Sequence, residues 1–194
     1  ILLFLVISTC VSSSYSQYLS WAKRYSAAWD IRPVSLTQDA TGNTLITGYF
    51  QGDMILENTT LGHNSSLKHV FVAKVDAYGN LLWAKQIKTN SDPQFFHANH
   101  LIAQDNTGNI YLSGIFSYTT TGNNDFDPGP GVFSMTSAST HCAFILKLTP
   151  SGDFIWAKKI GGNSQYGHVI IYTMQVDPSG NIYTTGGYQY IEDF

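Results

Sequence analysis

Asn123, Asn124, Asp125 and Asp127 place four oxygen-bearing side chains almost together, directly ahead of Pro128 and Gly129. Carboxylate and amide oxygens this close are the donors a calcium ion takes, so Asn123, Asp125 and Asp127 are candidate metal ligands and calcium the candidate cofactor. The set lacks the distant bidentate carboxylate of a finished site, and the alternative is an Asx-rich turn that satisfies its own backbone. His97 and His100 stand three apart, a spacing that joins two ligands on a helix. This segment reads as loop running into a strand, where the two rings would point to opposite faces. His63, His69, His141 and His168 have no Cys or carboxylate at ligand spacing, and no zinc site is expected.

Nucleophilic chemistry finds little support. No Gly-x-Ser-x-Gly elbow is present, and Cys142 lies in the run His141-Cys142-Ala143-Phe144-Ile145-Leu146, where it reads as a small buried hydrophobe. Glycoside chemistry needs two facing carboxylates. Glu57 and Glu192 are the chain's glutamates and sit in irregular segments, while most aspartates open turns. Gly129-Pro130-Gly131 and Gly161-Gly162 lack the lysine and following helix of a phosphate loop. Asn58-Thr59-Thr60 and Asn64-Ser65-Ser66 are glycan acceptors in a eukaryotic host.

The elements that hold these residues are strands. Of 194 residues 43% are hydrophobic, 14% aromatic and 12% charged, enough apolar side chain for a core and too little charge for a disordered chain. The 17 glycines, 12 tyrosines and 11 phenylalanines favour strands and turns, and no stretch has the pattern of an amphipathic helix. A net charge of -3 with scattered basic residues gives no footprint for a phosphate backbone, so nucleic acid is not an expected partner. Ile1-Leu2-Leu3-Phe4-Leu5-Val6-Ile7 followed by a Ser-rich stretch resembles the core and cleavage region of a secretory leader, too short to span a bilayer. Ser14-Tyr15-Ser16 puts the leader at 1–16 and the mature start at Gln17, with Cys10 as an alternative lipid-attachment residue.

Beyond the leader the chain repeats itself. Asp-x-x-Gly-Asn, an apolar run, then glycine and an aromatic recurs at Asp39–Phe50, Asp105–Phe116 and Asp177–Tyr188. A second glycine turn precedes Trp-Ala-Lys, at Asp76–Asn80 before Trp83 and at Thr149–Asp153 before Trp156. Gly42, Gly108 and Gly180 are 66 and 72 residues apart, and Gly79 and Gly152 are 73 apart. Each unit of about seventy residues holds four apolar runs, the pattern of a four-stranded meander. In Thr149-Pro150-Ser151-Gly152-Asp153, proline sets the first corner and glycine takes the left-handed position of a short hairpin. The leading aspartates read as acceptors for the turn's own amides. Phe154 and Trp156 are expected on one face and Ile155 and Ala157 on the other, as are Leu81 with Trp83 against Leu82 with Ala84. Sheets apolar on both faces need neighbours on both, which the radially packed sheets of a β-propeller supply. The tryptophan would fill the gap between blades, its lysine reaching water, and Gly114 and Gly186 fit where backbones crowd.

Asp105-x-x-Gly108-Asn109-Ile110-Tyr111-Leu112-Ser113-Gly114-x-Phe116, then Asp125-Phe126-Asp127-Pro128-Gly129-Pro130-Gly131, then Phe144-Ile145-x-Lys147-Leu148-x-x-x-Gly152-Asp153-Phe154-x-Trp156-Ala157-Lys158 resembles the bacterial β-propeller repeats abbreviated SBBP. The resemblance implies a secreted or surface protein, all-β, with four-stranded antiparallel blades. An outer closing strand is expected at about 20–26, blade one at 33–87, blade two at 97–160 and the start of blade three at 168–194, an incomplete ring of about two and a half blades that reads as the N-terminal part of a larger one. The first unit departs from the pattern, with Gly52-Asp53-Met54-Ile55 in place of the Asp-Pro-Gly stretch and a shorter loop expected there. Function follows as a non-catalytic binding or scaffold module for extracellular carbohydrate or protein, not membrane-spanning, with Tyr118, Asn123, Asn124 and Tyr166 as candidate contact residues in loops. The alternative is a secreted polysaccharide hydrolase or lyase with its site at the ring axis.

Overall fold

A computed structural model of the chain describes residues 4–11, 17–62, 67–91, 101–117, 124–139, 141–162 and 166–189, and every regular element among them is a strand. Strands β3 (Asp30–Gln38), β4 (Thr44–Gln51), β7 (Lys68–Val75) and β8 (Leu81–Ser91) form an antiparallel meander. Strands β9 (Leu101–Gln104), β10 (Ile110–Phe116), β13 (Cys142–Leu148) and β14 (Phe154–Ile160) form a second, and β15 (His168–Val176) pairs with β16 (Ile182–Gln189) in a third sheet. Ahead of them β1 (Phe4–Val11), which overlaps the leader-like stretch, pairs with β2 (Gln17–Ala27).

The sheets stack face to face, as the two-sided apolar strands require. Tyr25, Met54 and Leu56 meet Ile46, Phe50, Phe71 and Val75 in one core. Leu45, Val70, Val72 and Ile87 meet Ile110, Phe116, Phe126 and Phe144 in the next, and Tyr111, Ala143 and Ile145 meet Val169, Ile171 and Met174 in the third. Alternate residues of β7 thus serve different cores, Val70 and Val72 one and Phe71 and Ala73 another. The first strands of the three sheets are consecutive neighbours, β3 beside β9 and β9 beside β15. This is the blade arrangement of an all-β, propeller-like fold.

Five turns share one design. The first residue's amide donates to the carbonyl four residues on at 2.8–3.1 Å, and the glycine amide donates back at 2.9–3.0 Å, in Asp39–Asn43, Asp76–Asn80, Asp105–Asn109, Thr149–Asp153 and Asp177–Asn181. All five glycines have φ between +81° and +85°, a conformation that costs a residue with a Cβ. The two turn classes of the sequence are therefore one structure, and only the side chain that braces it changes from Asp to Thr.

The outer strands depart from simple alternation. In β8, Leu81 faces Val75 and Trp83 faces Lys74, which leaves Leu82 as a bulge with 51% of its surface exposed. In β14, Phe154 faces Leu148 and Trp156 faces Lys147, with Ile155 bulged out. One extra residue reverses the side-chain faces beyond it. Phe154 and Ala157 therefore pack toward the first blade and Trp156 toward the third sheet, correcting the expected pairing of Phe154 with Trp156. Leu81 and Trp83 part in the same way. A second bulge in the first strands skips Val34 and Tyr172, opposite the second-strand glycines. A Cβ on Gly48 or Gly186 would lie 2.1 Å from the carbonyl oxygen of Arg32 or Ile170, so the crowding expected at Gly186 is met there and at its counterpart Gly48.

Freed by such bulges, Trp21 and Trp83 each reach the glycine turn of the next blade. The Trp21 ring covers Gly79, where a Cβ would lie 2.7 Å away, and its Nε1–H donates to the Ala77 carbonyl at 3.0 Å. The Trp83 ring covers Gly152, where a Cβ would lie 3.1 Å away. Trp21 thus repeats in β2 what Trp83 does in β8. The lysine two residues on also crosses the gap instead of ending in water, Lys85 to Asp153 at 3.7 Å and Lys23 to Glu57 at 3.0 Å.

Candidate functional site

The turn aspartates are structural acceptors. Asp105 Oδ1 accepts from the amides of Thr107 and Asn109 and from the Thr107 hydroxyl, while its Oδ2 takes Asn109 Nδ2 at 2.9 Å and the Tyr111 hydroxyl at 3.0 Å. Asp39 repeats this with Thr41 and Asn43, and Lys74 replaces the tyrosine at 2.9 Å. Burial alone would raise both carboxyls, but these donors together hold them well below the usual carboxylate range. Neither is poised to take up a proton near neutrality.

The Asp-Pro-Gly loop sits elsewhere. It carries β11 (Asn124–Asp125) and β12 (Ser134–Met135), and Asp125 pairs with Lys88 on the outer edge of the first blade. Asp125 Oδ1 accepts from the amides of Asp127 at 3.1 Å and Phe133 at 3.0 Å, and its Oδ2 faces Lys88 Nζ at 3.9 Å. Asp127 Oδ1 accepts from the Gly129 amide at 2.7 Å, and a Cβ at Gly131 would lie 2.2 Å from Asp127 Oδ2. Asn124 is buried, with Nδ2 donating to the Ser117 carbonyl at 3.4 Å and Oδ1 without a hydrogen-bond partner. Of the candidate calcium ligands, Asp125 and Asp127 thus share one loop, and Asn123 lies outside the described residues. Tyr118 lies outside them too, while Tyr166 is 63% exposed.

The connection in the first unit is the shorter one, as expected, with 16 residues from β4 to β7 against 25 from β10 to β13, and in it β5 (Met54–Leu56) and β6 (Thr59–Leu61) form a hairpin, with β5 paired on β2. Between β6, β8 and the Asp127–Gly129 loop lies a polar cavity of about 230 Å³. Thr60, Gln86, Lys85, Lys88 and Asp127 line it, a mixture of hydroxyl, amide, ammonium and carboxylate. Gln86 Oε1 accepts from the Gly62 amide at 3.0 Å, which fixes the side chain in the wall. Sequence reasoning missed this cavity because its walls come from inserts of two different blades, and a single unit's spacing carries no sign of their meeting.

The fold also joins two histidines from different blades. His141 and His168 stack with ring centroids 4.4 Å apart, and the His141 carbonyl accepts from the Val169 amide at 2.9 Å. His69 is buried against Phe50 at 5.9 Å with Nδ1 unpartnered. Burial, helped by the Lys88 charge, pushes its pKa down to about 4. His63, His97 and His100 lie outside the described residues. Among the described residues no three His, Cys, Asp or Glu side chains gather as a metal site. Cys142 is fully buried with Sγ 3.3 Å from the Gly161 carbonyl, the packed hydrophobe the sequence suggests.

No protein-family model matches the chain. It is similar to an uncharacterized WD repeat-containing protein of Acanthamoeba polyphaga mimivirus, 26% identical over 179 residues, with 80% of this chain and 12% of that protein covered. The chain thus spans about an eighth of that relative's length. This likeness agrees with a repeated, β-rich architecture, and it goes no further toward the narrower SBBP family. No helix among the described residues is long and apolar enough to cross a membrane.

Proposed function

We propose that this chain is part of a secreted or surface-displayed β-propeller of SBBP type that works as a binding or scaffold module for extracellular carbohydrate or protein. The observation that carries the reading is the polar cavity between β6, β8 and the Asp127–Gly129 loop. A rigid stack of similar blades presents there the parts in which the blades differ, and binding residues concentrate on such inserts. Donors from Lys85 and Lys88 with acceptors from Thr60 and Asp127 suit a polyhydroxylated or peptide ligand. The similarity to a WD repeat-containing protein supports a propeller-type scaffold in the same coarse sense. The leader-like residues 1–16 support secretion.

Binding to immobilised glycans and to extracellular proteins tests the reading, with Lys88→Ala and Gln86→Ala as probes of the cavity. A ligand that both changes weaken at least severalfold while the β-sheet circular dichroism is kept is the expected result. A ligand indifferent to both, or turnover of a polysaccharide by the chain, would replace this reading.

A further inference from the structure

The two complete blades hold their strands in one register. Ala84 of β8 pairs with Ala73 of β7, which pairs with Ile46 of β4. Ala157 of β14 pairs with Leu146 of β13, which pairs with Leu112 of β10. The hairpin of β1 and β2 follows the same rule. Ala22 pairs with Ile7, Trp21 with Ser8 and Leu19 with Thr9, and Ser20 is skipped as Leu82 and Ile155 are. β2 is therefore the fourth strand of a blade, and β1 stands in the place of the third. Among the described residues β1 pairs with β2 alone, so its other edge carries no second strand.

The third sheet is the converse. Gly186 stands six residues beyond its turn glycine, as Gly48 and Gly114 do in theirs, which makes β15 a first strand and β16 a second. Among the described residues β16 pairs with β15 alone. Third-strand Phe71 and Phe144 pair with Gly48 and Gly114, whereas Gly186 borders a cavity of about 480 Å³ walled by Ile160, Val169, Ile171 and Tyr188. Tyr188, at the place of the buried Phe50 and Phe116, is 68% exposed. Trp21 and Trp83 each cover the turn before the fourth strand of the next blade, and the sheet beside Trp156 has no fourth strand among the described residues.

One copy thus carries the second half of a blade and, two blades further on, the first half of another. We propose that two copies of this chain pair head to tail, with β1 and β2 of each completing the third sheet of the other in the order β15, β16, β1, β2. The register sets Ile182 opposite Thr9, Thr184 opposite Ile7 and Gly186 opposite Leu5. Leu5 and Ile7 then stand at the positions of Phe144 and Leu146, which are fully buried between the first two blades. Two complete blades and two halves per copy make six blades in the pair, within the roughly four to eight of a closed propeller. A copy joined to itself would have three. The proposal rests on strand register and is independent of what the propeller binds. It concerns the chain that keeps β1, since cleavage after Ser16 removes the third strand and would undo the pairing.

Sedimentation equilibrium of the unaltered 194-residue chain tests it, with a mass of two 21.4 kDa copies expected. A single copy, or an open series of larger species, would overturn the proposal. A second readout comes from Ile7→Cys chains refolded together with Thr184→Cys chains. On oxidation the mixture is expected to give disulfide-linked pairs at least severalfold above the yield from Thr184→Cys chains alone. Equal yields would also overturn it.

Discussion

At the scale of single residues, the charged and polar groups are spent on holding turns and inserts, and their titration shows in stability. The pKa of His69 in the folded chain, about 4, lies below the ordinary 6.5, so between those values the unfolded chain binds a proton that the folded chain refuses. Stability therefore falls as pH drops through that window, by up to roughly 1.4 kcal/mol per pH unit. Denaturant midpoints from pH 4 to 7 are expected to show this slope and His69→Leu to flatten it; an unchanged slope would contradict the burial described. Asp39 and Asp105 carry depressed carboxyls, whose contribution is complete above the ordinary carboxylate pKa and disappears only as pH falls below it. Asp105→Ala removes a charged acceptor and takes from Lys147, 3.6 Å away, its carboxylate partner. It is expected to cost on the order of 3 kcal/mol, against about 1 kcal/mol for Thr149→Ala, whose hydroxyl accepts one amide from Asp153. Equilibrium unfolding of the two variants checks the ranking. The turn role of the aspartates was legible because Asp-x-x-Gly-Asn is a local chemical pattern. The stacking of His141 on His168 was not, since 27 residues and a blade boundary separate them.

At the scale of elements, the outer strand with its tryptophan is the joint between blades. Strand positions and turns were readable from runs of Val, Ile, Phe and Tyr between glycine turns. The bulges at Leu82 and Ile155 were not, because a strand apolar on both faces looks the same in either register. They decide which way the tryptophan points. Trp83→Ala opens a hole over Gly152 and is expected to cost about 3 kcal/mol, with Trp83→Phe recovering part of it. Gly48→Ala drives a methyl against the Arg32 carbonyl and is expected to destabilise by at least about 2 kcal/mol, whereas Ala40→Gly at an exposed turn position is expected to have a small effect. Thermal unfolding of this set distinguishes a packed joint from an incidental contact.

At the scale of the whole molecule, each blade owes much of its core to its neighbours, as repeat architectures do. Aromatic edge-to-face pairs such as Phe126 with Phe144 each add about 0.5–1.5 kcal/mol beyond their buried area. The blade arrangement was legible because two-sided apolar sheets have few ways to hide both faces. The polar cavity was hidden because its walls come from segments far apart in the chain. For a secreted protein, cleavage after Ser16 would remove β1 and start the mature chain at Gln17. N-terminal sequencing of the exported product is expected to read Gln17, and an intact Ile1–Ser16 segment would set the leader reading aside.

The stacking of consecutive blades through a tryptophan on the next glycine turn is tested most directly by nuclear magnetic resonance at Gly79 and Gly152. Both glycine Hα resonances are expected well upfield under the indole ring current, with Overhauser contacts to Trp21 and Trp83 respectively. Each should return to an ordinary shift when its own tryptophan becomes alanine. Ordinary glycine shifts in the unaltered chain, or contacts to neither ring, would show that the blades are not joined in this way.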